Sequence, residues 1–173
     1  TSSATLPSAG DLSDGDYVFQ AKATNTATPT PGTYTGASVT VTYDVTASQI
    51  SSAAMAVNNS YVEIQFAEKV WGSATQDAAI DPSDFTVTFQ QNGGGITASS
   101  VTALYADSGL STSLGATTGY STVYAALNNS GGPATGAETV IITAQTDAIY
   151  DVAANAMPDT ETTGSVNLIA DAV

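Results

Sequence analysis

Apolar and polar residues alternate with a period of two along most of the chain. At 17–24, Tyr17, Phe19, Ala21 and Ala23 share one face, and Gln20, Lys22 and Thr24 the other. That spacing predicts a half-buried strand. Val39, Val41 and Tyr43, interleaved with Thr40 and Thr42, predict a second strand near 37–43. Val62, Ile64 and Phe66, interleaved with Glu63, Gln65 and Ala67, predict a third over 61–70. Further strands follow over 84–90 (Phe85, Val87, Phe89), 99–106 (Val101, Ala103, Tyr105, a weaker pattern), 121–127, 138–145 and 164–170, with a short one over 50–57. Asp14–Gly15, Pro31–Gly32, Asn92–Gly93–Gly94–Gly95, Ser108–Gly109, Ser130–Gly131–Gly132–Pro133 and Met157–Pro158–Asp159 separate them as turns. A helical period is missing throughout. Residues 73–80 could form at most one helical turn before Asp81–Pro82.

The strands divide unevenly around 44–49. Seven lie after it, enough for a complete sandwich of the immunoglobulin type. The expected fold is therefore all-β: an antiparallel Ig-like β-sandwich over 46–173, with an extra N-terminal β-hairpin over 1–45. The hairpin strands connect through Thr28–Pro29–Thr30–Pro31–Gly32. A two-stranded hairpin is marginal at best by itself in water. Residues 1–45 are thus expected to join the sandwich, to complete a sheet in another subunit, or to be the tail of a preceding domain.

Composition narrows the function. The 173 residues carry 2 Lys+Arg against 16 Asp+Glu, a net charge of −14, with no His and no Cys. A disulfide framework, a thiol nucleophile, a Ser-His-Asp triad and a His- or Cys-ligated metal are all excluded. The negative field disfavours nucleic acid and anionic membrane. No apolar run is long enough for a membrane-spanning helix, so membrane insertion is not expected. Only 10% of residues are charged, and the polar surface is mostly Ser, Thr, Asn and Gln. With abundant Thr, Val and Tyr, this suits an extracellular β-protein. The start at Thr1, without a basic or apolar leader, reads as a processed or excised chain.

Two stretches carry a family resemblance. Leu12 to Thr24, followed by Val39–Thr40–Val41–Thr42–Tyr43–Asp44–Val45–Thr46–Ala47, resembles the last two strands and linker of a bacterial Ig-like repeat. Residues 50–70, with Asp81–Pro82–Ser83–Asp84–Phe85–Thr86–Val87–Thr88 and Ile149–Tyr150–Asp151–Val152–Ala153–Ala154–Asn155–Ala156, resemble a full repeat of large cell-surface adhesins. The resemblance implies an extracellular, non-catalytic spacer or adhesive role, often with Ca²⁺ stiffening the junctions, and Asp44 at the position of an inter-domain ligand. Ser48 stands where such repeats usually have Pro, and Ala154 where they usually have Gly.

Candidate sites are few. Ca²⁺ needs several converging oxygens, which some of Asp44, Asp147, Asp151 and Asn155 could supply, with Asp159 nearby. The same residues could instead make Asx-type turn bonds. Asp11, Asp14 and Asp16 form a second acidic cluster, more simply read as a turn before a strand. Glu63, Glu68, Glu138 and Glu161 are the only glutamates, and nothing marks a two-carboxylate cleft, so no enzyme is expected. Lys22 and Lys69 fall on outward faces, which argues against a buried isopeptide lysine. Trp71 and the eight Tyr could stack on sugars, although core packing is the simpler role. Asn58 and Asn128 begin N-glycosylation acceptor patterns, both expected in turns.

These observations lead to a secreted, cell-surface structural or adhesive protein. It would assemble head-to-tail with copies of itself by β-strand complementation through 1–45. The alternative is a glycan- or calcium-binding module of a large adhesin.

Overall fold

The computed structural model describes Gly10, residues 12–26 and residues 32–171. Asp11 and the Thr28–Pro31 part of the hairpin connection lie outside the described residues. The chain divides into two compact units, Thr1–Thr46 and Ala47–Val173. Among the described residues no α-helix occurs, and no helix is long and apolar enough to cross a membrane.

The second unit holds β3 (Ile50–Met55), β4 (Tyr61–Val70), β5 (Phe85–Gln90), β6 (Ile96–Tyr105), β7 (Tyr120–Gly131), β8 (Thr139–Ala144) and β9 (Val166–Asn167). They form a four-stranded sheet, β3-β4-β7-β6, and a three-stranded sheet, β5-β8-β9, with every pairing antiparallel. In chain order these are strands 1-2-5-4 and 3-6-7 of the unit, the ABED and CFG sheets of an Ig constant-type sandwich. The unit is an all-β, antiparallel two-sheet sandwich.

Alternation explains which faces meet. Val62, Ile64 and Phe66 of β4 and Val123 and Ala125 of β7 pack against Phe85 of β5 and Val140, Ile142 and Ala144 of β8. Ile149, Met157 and Leu168 complete this core. Trp71 joins the buried set rather than the surface. It needs Gly119 beneath it: a Cβ there would come within 2.4 Å of the indole ring.

Two carboxylates tie the sheets. Glu161 accepts the Ile50 N–H of β3 through Oε2 at 3.1 Å. Its carbonyl accepts the Ala144 N–H of β8 at 2.9 Å. Glu138, fully buried ahead of β8, accepts the Ile96 N–H of β6 at 3.0 Å. The Thr135 N–H and hydroxyl also donate to it, each at 3.0 Å from Oε2. Gly94 must lack a side chain here, since its Cβ would sit 2.0 Å from the Glu138 carboxyl carbon.

Three expectations require correction. The last strand was expected over 164–170 and pairs only at Val166–Asn167. Beyond it the Leu168 N–H goes to the Glu138 carbonyl, and the Ile169 N–H to the Asn59 side chain. Asn128 lies within β7, opposite Ser100, and not in a turn. Residues 73–80 form bends and turns rather than a helical turn. The only regular helix nearby is a 3₁₀ turn over Pro82–Asp84, with Asp81 and Asp84 capping each other's backbone N–H groups.

The first unit is a ribbon of β1 (Gly15–Asn25) and β2 (Gly32–Tyr43), paired antiparallel with Tyr17 opposite Val41 and Phe19 opposite Val39. A bulge interrupts the register between Gln20 and Lys22. The ribbon is a separate two-stranded sheet, not part of the sandwich sheets. Its ends are fastened by carboxylates. Asp14 accepts the Val45 N–H at 2.8 Å and the Thr46 hydroxyl, and Asp16 accepts the Thr42 hydroxyl at 2.7 Å.

Candidate functional site

Asp151 and Asn155 are brought together in one tight loop. Tyr150 exchanges backbone hydrogen bonds with Trp71, at 2.8 and 2.9 Å, and the Met157 N–H donates to the Ile149 carbonyl at 2.7 Å. These pairings pinch 151–156 into a closed turn. Asp151 is fully buried within it. Its Oδ1 accepts the Ala153 and Asn155 N–H groups, at 2.8 and 2.9 Å, and its Oδ2 accepts the Asn155 side-chain amide at 2.9 Å. Asp151 therefore does what a turn aspartate does, replacing strand partners for the loop backbone. Ala154, where the resembled repeats have Gly, adopts φ +67°.

The carboxylates of Asp151 and Glu68 approach within 4.8 Å of each other. Two carboxylates this close can share one cation. Hard oxygens of this kind suit Ca²⁺. Glu68 was not anticipated as a ligand. The signal was present, since Glu68 shares the inward parity of Val62, Ile64 and Phe66 on β4.

The remaining candidates make bonds within their own segments. Asp147 is exposed at φ +53°, and its backbone carbonyl accepts the Tyr150 hydroxyl at 2.8 Å. Asp159 accepts the Thr146 hydroxyl at 2.9 Å. Asp44 belongs to the first unit, where it accepts the Thr46 N–H at 3.1 Å. Bonds from the Thr46 hydroxyl and the Val45 N–H hold the Asp14 carboxyl below its ordinary pKa. Asp14 and Asp16 thus serve the ribbon. Asn58 is exposed in the β3–β4 turn, its side chain accepting the Ser60 N–H and hydroxyl. Asn128 is exposed on β7.

A mostly apolar cleft is lined by Ile80, Pro82, Leu104 and Leu114, with Asp81 the carboxylate in its wall. Nearby, Asp84 is pushed up to about 6, chiefly by burial, against the opposing bond from the Asp81 N–H.

Comparison with protein-family models, curated proteins and solved structures gives no match.

Proposed function

We propose that this chain is a non-enzymatic, extracellular structural subunit that assembles through its N-terminal ribbon. The supporting observation is the state of that ribbon. Phe19, Val39 and Val41 lie on one face at 38%, 60% and 48% exposure, in a two-stranded sheet separate from the sandwich sheets. A sheet with one apolar face is stable when a second layer covers it. A neighbouring copy's sheet edge would supply that layer and pair the ribbon's open backbone groups. Such a contact uses different surfaces on the two partners, so it propagates head-to-tail into a filament on the cell surface.

Light scattering over a rising protein concentration, combined with limited proteolysis, tests the reading. Concentration-dependent elongated oligomers, with cleavage within 1–45 slowed in the oligomer, are expected. A chain that stays monomeric at high concentration with 1–45 already protected sinks it.

A second reading, a glycan- or calcium-binding module of a surface adhesin, is favoured on its calcium side by the Glu68–Asp151 approach. It requires that Ca²⁺ raise the melting temperature of the wild-type chain and not that of Glu68→Gln. Equal melting curves with Ca²⁺ and with chelator would remove it.

A further inference from the structure

The outward face of the four-stranded sheet carries a cluster of tyrosines that the core does not need. Tyr105 of β6 lies directly opposite Tyr124 of β7, and Tyr124 directly opposite Glu63 of β4. Directly opposed residues share a face, so Tyr105, Tyr124 and Glu63 form one row across three strands. Tyr61, two residues before Glu63 on the same face, meets the Tyr124 ring with centroids 5.2 Å apart and planes at 88°. Two rings at a right angle make a corner with a π face on each wall. All three tyrosines are partly exposed.

The corner is electrically biased. Glu63 neighbours both rings, along its own strand and across it. Its Oε1 accepts the Gln65 amide at 2.7 Å, which fixes the carboxylate beside the rings. Asp107, two residues beyond Tyr105, is kept ionised by bonds from Thr112 and Ser111. The Tyr124 hydroxyl is pushed up by burial, and further by Glu63, Tyr61 and Asp107. Lys22 and Lys69 are the chain's only basic residues. Lys69 falls within the register break between Gln65 and Val70 of the β4–β7 ladder, and both ring pairs among the described residues are tyrosine–tyrosine.

We propose that the Tyr61–Tyr124 corner, with Glu63 beside it, is a binding site for an organic ammonium group. Ring faces carry the negative end of the aromatic quadrupole and attract cations. A neutral sugar would gain the stacking but not the carboxylate. An anion would meet Glu63, Asp107 and a chain of net charge −14. The charge pattern therefore selects a cation, and the ring corner selects one with an apolar shell.

The test uses the full chain and tetramethylammonium chloride, followed by proton NMR of the methyl and tyrosine ring signals. Sodium chloride at equal concentration serves as the ionic control. Saturable upfield shifts of the methyl signal, with matching shifts of Tyr61 and Tyr124, are expected. Tyr124→Phe should retain binding because the ring face acts, not the hydroxyl. Tyr124→Ala should weaken it about tenfold, and Glu63→Gln severalfold. Each variant's circular dichroism reports its folding, and Glu63→Gln alters no core contact. Equal binding of neopentyl alcohol, the neutral shape mimic, would overturn the proposal. So would saturable binding of methyl glucoside to these rings without any response to the ammonium ion, or unchanged affinity in both Glu63→Gln and Tyr124→Ala.

Discussion

The Glu138 carboxylate accepts the Ile96 N–H at 3.0 Å, linking the entry to β8 in one sheet with the start of β6 in the other. Burial alone would raise this carboxyl. Bonds from Ile96, from Thr135 and from its own backbone outweigh that and bring it to about 2, from an ordinary 4.5. A group whose pKa falls on folding contributes stability that is complete above the unfolded value and is lost as pH drops through the folded one. Unfolding by denaturant should therefore show a stability loss between about pH 4.5 and 2 that depends on Glu138. Glu138→Gln turns an acceptor toward donors as an amide nitrogen. It should cost about 2–3 kcal/mol at neutral pH and flatten the acid slope. An unchanged slope in the variant would contradict the assignment.

Asn59 holds the C-terminal segment as a strand would. Its Oδ1 accepts the Ile169 N–H at 2.7 Å, and its Nδ2 donates to the Ile169 carbonyl at 2.8 Å. It also sits at φ +58°, a conformation Asn tolerates well. Asn59→Ala should lose about 2–3 kcal/mol, from two bonds and the backbone preference together. Asn59→Gly should lose less, because it restores the backbone freedom and forfeits only the bonds. Equal losses in thermal melts of the two variants would refute that division.

Ala154 carries strain that glycine would relieve. At φ +67° its Cβ crowds the backbone, a cost of about 1–2 kcal/mol. Against this, glycine gives the unfolded chain more freedom, worth about 0.4–1 kcal/mol. The difference favours Ala154→Gly, which should raise the melting temperature by a few degrees at most. A lower melting temperature would show that the strain is relaxed elsewhere in the loop.

Gly119→Ala should act in the opposite direction. The added methyl would meet the Trp71 ring at 2.4 Å, and that ring is buried. Overpacking of this kind costs about 1–3 kcal/mol. Trp71 is the only tryptophan, so its fluorescence reports the displacement without ambiguity. Unchanged emission and unchanged stability together would contradict the packing.

Much of the sandwich was legible because alternation is a local property. Val62, Ile64 and Phe66 on β4, and Phe85 with its neighbours on β5, show their inward faces in any five-residue window. The pattern over 99–106 was weak for a physical reason. Bulges between Ile96 and Ala98 and between Val101 and Ala103 break the alternation, so the true start at Ile96 was missed. Asn128, Asn129 and Ser130 read as a turn by composition, yet they pair with Ser100, Ser99 and Ala98. Their strand is imposed by the β6 ladder, not by propensity. Within the acidic loop, the spacing of Asp151 and Asn155 pointed to a shared turn. The approach of Glu68 depended on a contact distant in sequence.

What the sequence by itself determined is which residues of the sandwich strands face inward, how many strands the described residues form, and the kinds of chemistry that missing His and Cys exclude. Each follows from residue type and a spacing of two. Only the tertiary structure decided how seven strands divide between two sheets, and where the carboxylates of Glu138, Asp151 and Glu68 end up. Those depend on hydrogen-bond partners far along the chain, and a buried charge is tolerable only once such partners have gathered around it.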